Sequence, residues 1–315
     1  MSYDHILLIG FGGPTSPEEV RPFLENVARG RRIPEARLHE VAHHYEAIGG
    51  SSPYNEYTFR FAGALRRELI AAEEPLPIYV GMRNWNPFLR DTLREIKRNG
   101  ATKGIAIILA THRSEASCRR YKQNLRDAQA AAAAQDIAYD YVGPWFDHPL
   151  FIEAQAEGIR AALNAVAATD RADVHVIFSA HSIPVEMNDG CNHCQYADEF
   201  KKSCDLTAEA LLLTRYTCAY QSRSGNPRQP WLEPDINDEI RRLAAAGCKR
   251  VIVAPIGFLC NNAEVLYDLD LEAHQTAREC GMHFHRVRTA MDQPQFAQMM
   301  SLIVQQQLEI TLHNR

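Results

Sequence analysis

Short, nearly continuous apolar runs alternate along this chain with longer stretches in which apolar positions return every three to four residues. Runs at 5–10, 78–81, 104–110 and 137–142 have the length and β-branched character of strands, and a second set follows at 174–178, 214–221, 250–255 and 283–287. Apolar character on consecutive residues, without polar alternation, predicts strands covered on both faces. Between them, 57–72, 87–98, 116–134, 149–167, 235–246 and 265–279 carry helical periodicity. Strand alternating with helix implies right-handed crossovers and parallel sheets. Four strands in each half predict an α/β fold of two doubly wound, four-stranded parallel-sheet, Rossmann-like domains around a cleft. The break is expected at Gly143-Pro144, giving domains 1–144 and 145–291, with the last helical stretch, 292–315, packed back on the first domain.

Composition narrows the function. With 315 residues, 46% hydrophobic and 23% charged, the chain suits two α/β domains of a soluble globular protein. A formal net charge of -5 and short Lys/Arg clusters argue against a nucleic-acid footprint. No uncharged apolar run reaches the ~20 residues of a membrane span. The opening Met-Ser-Tyr-Asp-His lacks a basic region followed by an apolar core, so a cytoplasmic protein is expected, with a monomer as the default.

Two strand exits draw the chemistry together. Val174–Phe178 is a buried-strand run that ends in Ser179-Ala-His-Ser-Ile-Pro184. Ligands in open α/β sheets bind beyond the carboxyl ends of strands, so His181 is well placed; the alternative is a core histidine satisfied by a carbonyl. The second exit, Val253-Ala-Pro-Ile-Gly-Phe-Leu-Cys-Asn-Asn, leads into a helical pattern that Asn261 or Asn262 can cap. Glu264, Asp268 and Glu272 follow at i, i+4, i+8 and form one acidic stripe, drifting slightly with the α-helical period. Carboxylate oxygen suits hard divalent cations and iron accepts imidazole as well, so His181 with Glu264 makes a metal pair and the outer acids an entry path. The first strand runs into Gly10-Phe-Gly-Gly-Pro14, which lacks the G-x-G-x-x-G spacing of a dinucleotide site and reads as a turn that lets a flat ligand approach the backbone. Arg29, Arg31, Arg32 and Arg37 lie near a second Gly-rich loop, 45–54, and suit an anionic, partly apolar ligand.

Taken in order, Phe178-Ser-Ala-His-Ser-Ile-Pro184, Glu264-Val-Leu-Tyr-Asp268, His44-Tyr45 with Gly49-Gly-Ser-Ser-Pro53, Gly81-Met-Arg-Asn-Trp-Asn-Pro87, Tyr220-Gln-Ser-Arg-Ser224 and Pro230-Trp-Leu-Glu-Pro234 resemble the ferrochelatases over nearly the whole chain. The resemblance implies a chelatase-type fold and insertion of Fe2+, as substrate, into a porphyrin during haem biosynthesis. His181 and Glu264 would be the catalytic and metal pair, with Asp268 and Glu272 continuing the iron path. Phe11, Arg29, Arg31, Tyr45, Ser52 and Tyr121 match positions that line the macrocycle and its propionates. Phe11 stands where some members carry tyrosine, so no phenolate ligand is available there. The segment 22–34 resembles members acting on coproporphyrin III, a slight preference over protoporphyrin IX. A cobalt or nickel chelatase of another class is the competing enzyme, and a non-catalytic metal- or haem-binding sensor is the competing binding protein.

Eight cysteines in a reducing compartment do not suggest a disulfide framework. Cys191, Cys194 and Cys204 cluster, and a C-x-x-C with a third thiol nearby suits a metal. Zinc and iron–sulfur clusters both accept thiolates. Since some ferrochelatases carry a [2Fe-2S] cluster, the resemblance implies one here, with Cys260 favoured as fourth ligand and Cys218, Cys118 and His193 as alternatives.

Overall fold

A computed structural model of the chain describes residues 2–30, 33–189, 195–224 and 229–313. They form two compact units, one of Met1–Ala110, Ala116–Pro144 and Pro294–Arg315, the other of Thr111–Glu115 and Trp145–Gln293.

The first unit contains β1 (His5–Gly10), α1 (Pro17–Ala28), α2 (Glu35–Ala47), α3 (Tyr54–Ala71), β2 (Ile78–Met82), α4 (Leu89–Arg98), β3 (Lys103–Ile108), α5 (Arg120–Ala131) and β4 (Ala138–Tyr141). A short π-helical turn, Glu115–Arg119, precedes α5. All pairings are parallel and the strand order is β2-β1-β3-β4. β1 is buried at every residue, as its unbroken apolar run requires, and Leu7 and Ile9 pack with Leu93, Ile96 and Leu125 of the covering helices.

The second unit repeats the plan with α6 (Pro149–Ala165), β5 (Val174–His181), α7 (Val185–Asp189), α8 (Tyr196–Ala210), β6 (Tyr216–Gln221), α9 (Ile236–Ala245), β7 (Arg250–Ala254), a π-helix (Val265–Ala273), α10 (His274–Glu279) and β8 (His283–Arg286). Its sheet is also all parallel, in the order β6-β5-β7-β8. The strand order reverses direction at β5 and β7, so the carboxyl ends of those two strands form the switch point at which such sheets bind ligands. The last helix, α11 (Pro294–His313), belongs to the first unit, where Phe296 packs on Phe61 of α3 with ring centroids 5.0 Å apart.

Two expectations change. The stretch that carries the cysteine cluster, for which no helix is expected from the sequence, contains α8 from Tyr196 onward, and Cys204 is fully buried within that helix. The helical pattern 265–279 divides into a π-helix and the short α10. Bonding to i+5 widens a turn to roughly four residues or slightly more. Residues four apart then fall slightly short of a full turn where an α-helix overshoots it, so the drift from Asp268 to Glu272 changes its sense.

Candidate active site

β5 delivers His181 at its last residue, opposite Gln221 in the register with β6. The exit is held on several sides. The Ser182 N–H donates to the Gln221 carbonyl at 2.7 Å, and the Ser182 hydroxyl donates to the Leu232 carbonyl at 2.9 Å. The Tyr196 hydroxyl, from α8, donates to the His181 carbonyl at 2.9 Å. Gly257, after β7, approaches so closely that a Cβ there would lie 2.6 Å from the Ala180 Cα. The imidazole is half-buried, with the Phe258 ring 6.5 Å away, and its Nδ1 donates to the Ser182 carbonyl. A carbonyl only accepts, so this bond keeps the neutral ring's proton on Nδ1 and leaves the Nε2 lone pair for a cation or a proton.

Beyond β7, Asn262 accepts from the Val265 N–H at 3.1 Å and so starts the π-helix, as one of the two capping candidates. Glu264 is half-buried, Asp268 buried and Glu272 exposed, so the outermost acid meets solvent and the middle one is the most enclosed. Burial, with the charges of Glu264 and Glu272, lifts the Asp268 carboxyl from 3.8 to about 7, against the opposing hydrogen bonds from Ser222 and Gln221. Ser222 adopts φ +63°, a left-handed conformation rare outside glycine, and in it the hydroxyl donates to Asp268. The π-helix is itself a departure common at functional sites. Arg286 braces its far side through Asp270, at 2.6 and 2.7 Å.

In the first unit, the Gly10–Pro14 loop is bound to its own surroundings. The Phe11 N–H donates to the Tyr54 hydroxyl at 2.9 Å and the Gly13 N–H to the Asn55 side chain at 3.1 Å. A Cβ at Gly10 would lie 2.6 Å from the Met82 sulfur, one at Gly13 2.9 Å from the Ser52 Cβ, and Gly12 has φ +86°. The glycines thus answer to packing inside this unit, and the Phe11 and Gly13 N–H groups are engaged internally. Phe23 touches both Phe11 and Tyr45 edge-on, at 6.3 and 6.0 Å. Arg83, at the exit of β2, stacks over Tyr121 at 4.3 Å and over Phe11 at 5.8 Å, and its Nε donates to Asn124 at 2.6 Å. Phe11, Tyr45, Ser52 and Tyr121 therefore gather around one loop and one cation. Arg29 is exposed and bonds back to Asn26 at 2.5 Å. Arg31 lies outside the described residues.

Cys191 and Cys194 also lie outside the described residues. The Cys204 and Cys218 thiols hydrogen-bond each other; burial raises Cys204 well above the ordinary thiol value, while the bond from Cys204 lowers Cys218. Cys260 is buried near Glu264 and Asp292, and burial first, then those charges, raises its thiol. Among the described residues no three His, Cys, Asp or Glu side chains form a metal group. No helix among them is long and apolar enough to cross a membrane.

Arg83, Gln221 and Gly257 escaped sequence reading as site residues. Each sits within a quoted motif or at a strand exit, but only strand register and a missing Cβ expose its role.

Comparison with known proteins puts the geometry in context. The family model described as Ferrochelatase matches residues 3–308. The chain is 40% identical over 307 residues to a protein named ferrochelatase from Rhodopirellula baltica, covering 97% of this chain and 86% of that one. It is 39% identical over 314 residues to a coproporphyrin III ferrochelatase from Nocardia farcinica, covering 98% and 89%. For the protein of that same name from Mycolicibacterium smegmatis the figures are 38% over 308 residues, covering 98% and 91%. Among solved structures, the sirohydrochlorin chelatase SirB from Bacillus subtilis subspecies spizizenii, in complex with cobalt, has a TM-score of 0.54 at 10% identity, covering 95% and 93%. SirB from Bacillus subtilis with Fe3+ has 0.56 at 12%, covering 96% and 94%. These structural likenesses bear on the fold alone.

Proposed function

The chain belongs to the ferrochelatase family, whose members insert ferrous iron into a porphyrin, and on that premise we propose that its porphyrin is coproporphyrin III and that His181 and Glu264 carry the reaction. The observation that bears most weight is that the β5 strand ending in His181 and the main chain of Glu264 at the start of the π-helix are joined through one buried residue, Gln221.

Metallation releases two pyrrole protons, so a base must meet the ring. His181 supplies one at Nε2, and Glu264 supplies a carboxylate for iron or for the second proton. Asp268 and Glu272 lead the cation inward from solvent. In the first unit we propose that Phe11, Tyr45, Ser52 and Tyr121 serve the apolar macrocycle, and that Arg29, Arg31 and Arg83 serve its carboxylates. Coproporphyrin III is favoured because two of the relatives above carry that substrate in their names. Fe2+ insertion into coproporphyrin III and protoporphyrin IX, run side by side, tests this. A higher kcat/KM with protoporphyrin IX overturns the substrate choice, and no insertion into either overturns the activity.

We further propose a [2Fe-2S] cluster held by Cys191, Cys194 and Cys204. Cys218 now suits the fourth place better than Cys260, because its thiol bonds that of Cys204 and favours the thiolate, whereas Cys260 lies beside Glu264 and Asp292. The cluster would supply a redox-active iron–sulfur centre. Anaerobically purified protein that is colourless, or that carries stoichiometric zinc, overturns it. Free thiols suit a reducing compartment, and we propose a cytoplasmic monomer.

A further inference from the structure

Gln221 ends β6 and is 1% exposed. Besides a side-chain hydrogen bond to Asp268, three hydrogen bonds tie it to β5 and to the Glu264 main chain. Its carbonyl accepts the Ser182 N–H at 2.7 Å, one residue after His181. Its Oε1 accepts the Ser179 hydroxyl at 3.0 Å, two residues before His181. Its Nε2 donates to the Glu264 carbonyl at 3.0 Å. The backbone carbonyl of Glu264 can only accept, so the amide nitrogen must face it and Oε1 must face Ser179. Both ends of a buried amide are thereby occupied in one orientation, and rotating it would break two bonds. The next residue, Ser222, keeps its strained backbone while bonding Asp268. The β6 exit therefore grips β5 on both sides of His181 and the π-helix at two of its acids.

We infer that Gln221 is a positioning residue, which fixes where the Glu264 main chain lies relative to the His181 strand. The inference rests on the reading that His181 and Glu264 carry iron insertion. Partners that orient metal-binding groups in this way are worth roughly 10- to 100-fold in metal affinity or activity.

Two variants separate the bonds. Gln221→Glu retains the acceptor for Ser179 but, when ionised, has no donor for the Glu264 carbonyl. Gln221→Met keeps similar volume and loses every side-chain bond, the one to Asp268 included. In the full chain, iron insertion is measured with Fe2+ and coproporphyrin III varied separately. Porphyrin affinity is measured by fluorescence quenching, Co2+ affinity of porphyrin-free protein by titration calorimetry, and folding by thermal melting. Both variants are expected to lose roughly 10- to 100-fold in kcat/KM for Fe2+ and in Co2+ affinity, with porphyrin affinity unchanged. Wild-type iron kinetics in Gln221→Glu overturn the inference. So does a loss that falls equally on iron, porphyrin and melting temperature, since that marks a merely structural role. If the wild type inserts no iron while the variants still weaken Co2+ binding, the ferrochelatase reading fails and the positioning role survives. If the wild type inserts iron and the variants match it, the reverse holds.

Discussion

Replacing Asp268 by Asn should make the protein more stable and less active, and the stability gain should depend on pH. In the fold, Asp268 is buried between the charges of Glu264 and Glu272, and its carboxyl is lifted from 3.8 to about 7. A raised carboxylate favours the protonated fold, so this group leaves stability whole below pH 4 and erodes it as pH rises towards 7. At 1.36 kcal/mol per pH unit the cost above pH 7 reaches about 4 kcal/mol at most. Asn is neutral at every pH, has nearly the same shape, and can still accept from the Ser222 hydroxyl. Melting of metal-free wild type and Asp268→Asn between pH 4 and pH 8 checks this. The midpoints should agree near pH 4 and separate above pH 7 in favour of the variant. Half of the full cost would separate them by roughly 4–8 °C. Iron insertion by the variant should fall, with KM for Fe2+ rising, because the buried step of the cation path has lost its charge. A variant that melts below the wild type at pH 8, or differs equally at pH 4 and pH 8, refutes the reasoning.

Three further outcomes are expected. His181→Ala should lower the iron insertion rate by roughly 10²- to 10⁴-fold, as loss of a general base does, while porphyrin still quenches; undiminished turnover would remove His181 from the mechanism. Gly257→Ala places a Cβ 2.5 Å from that of Ala180, so urea unfolding should show a loss of about 1–3 kcal/mol, and activity should fall beyond what that loss explains because the β5 exit is displaced. Arg83→Leu should raise KM for coproporphyrin III and leave Co2+ affinity intact, since the guanidinium stacks on Phe11 and Tyr121 of the first unit whereas the acids belong to the second; unchanged porphyrin kinetics would leave Arg83 a purely structural stack.

Elements were legible where one period dominates. The β1 and β5 runs are apolar on consecutive residues because both faces are covered, and both appear as parallel central strands. Strand order was not legible, since β2 pairing beside β1 and β6 beside β5 is settled by crossovers that no local window contains. The helix around Cys204 was hidden by its thiols: C-x-x-C drew attention as a ligand pattern, while Phe200, Cys204 and Thr207 form a buried helical stripe. The π-helix was hidden for a different reason. Its acids at i, i+4, i+8 are compatible with either period, and only the hydrogen bonding separates the two senses of drift. The glycine loop hid a second role: Gly10–Pro14 reads as a turn for a flat ligand, and only the structure shows that Tyr54 and Asn55 take its Phe11 and Gly13 N–H groups.

The second unit also shows why its reactive exits can be polar at all. Ser179, Gln221, Ser222 and Asp268 would each weaken a strand end or helix if left unpaired in the interior. They are paired with one another or with exit backbone, so a network replaces the apolar packing that a strand end otherwise uses. Such a network tolerates little partial loss, because removing one member strands its neighbours. Asp268 is the exception: it is the member held nearest neutrality, and the cation path proposed for it would account for a charge placed where an empty site favours none.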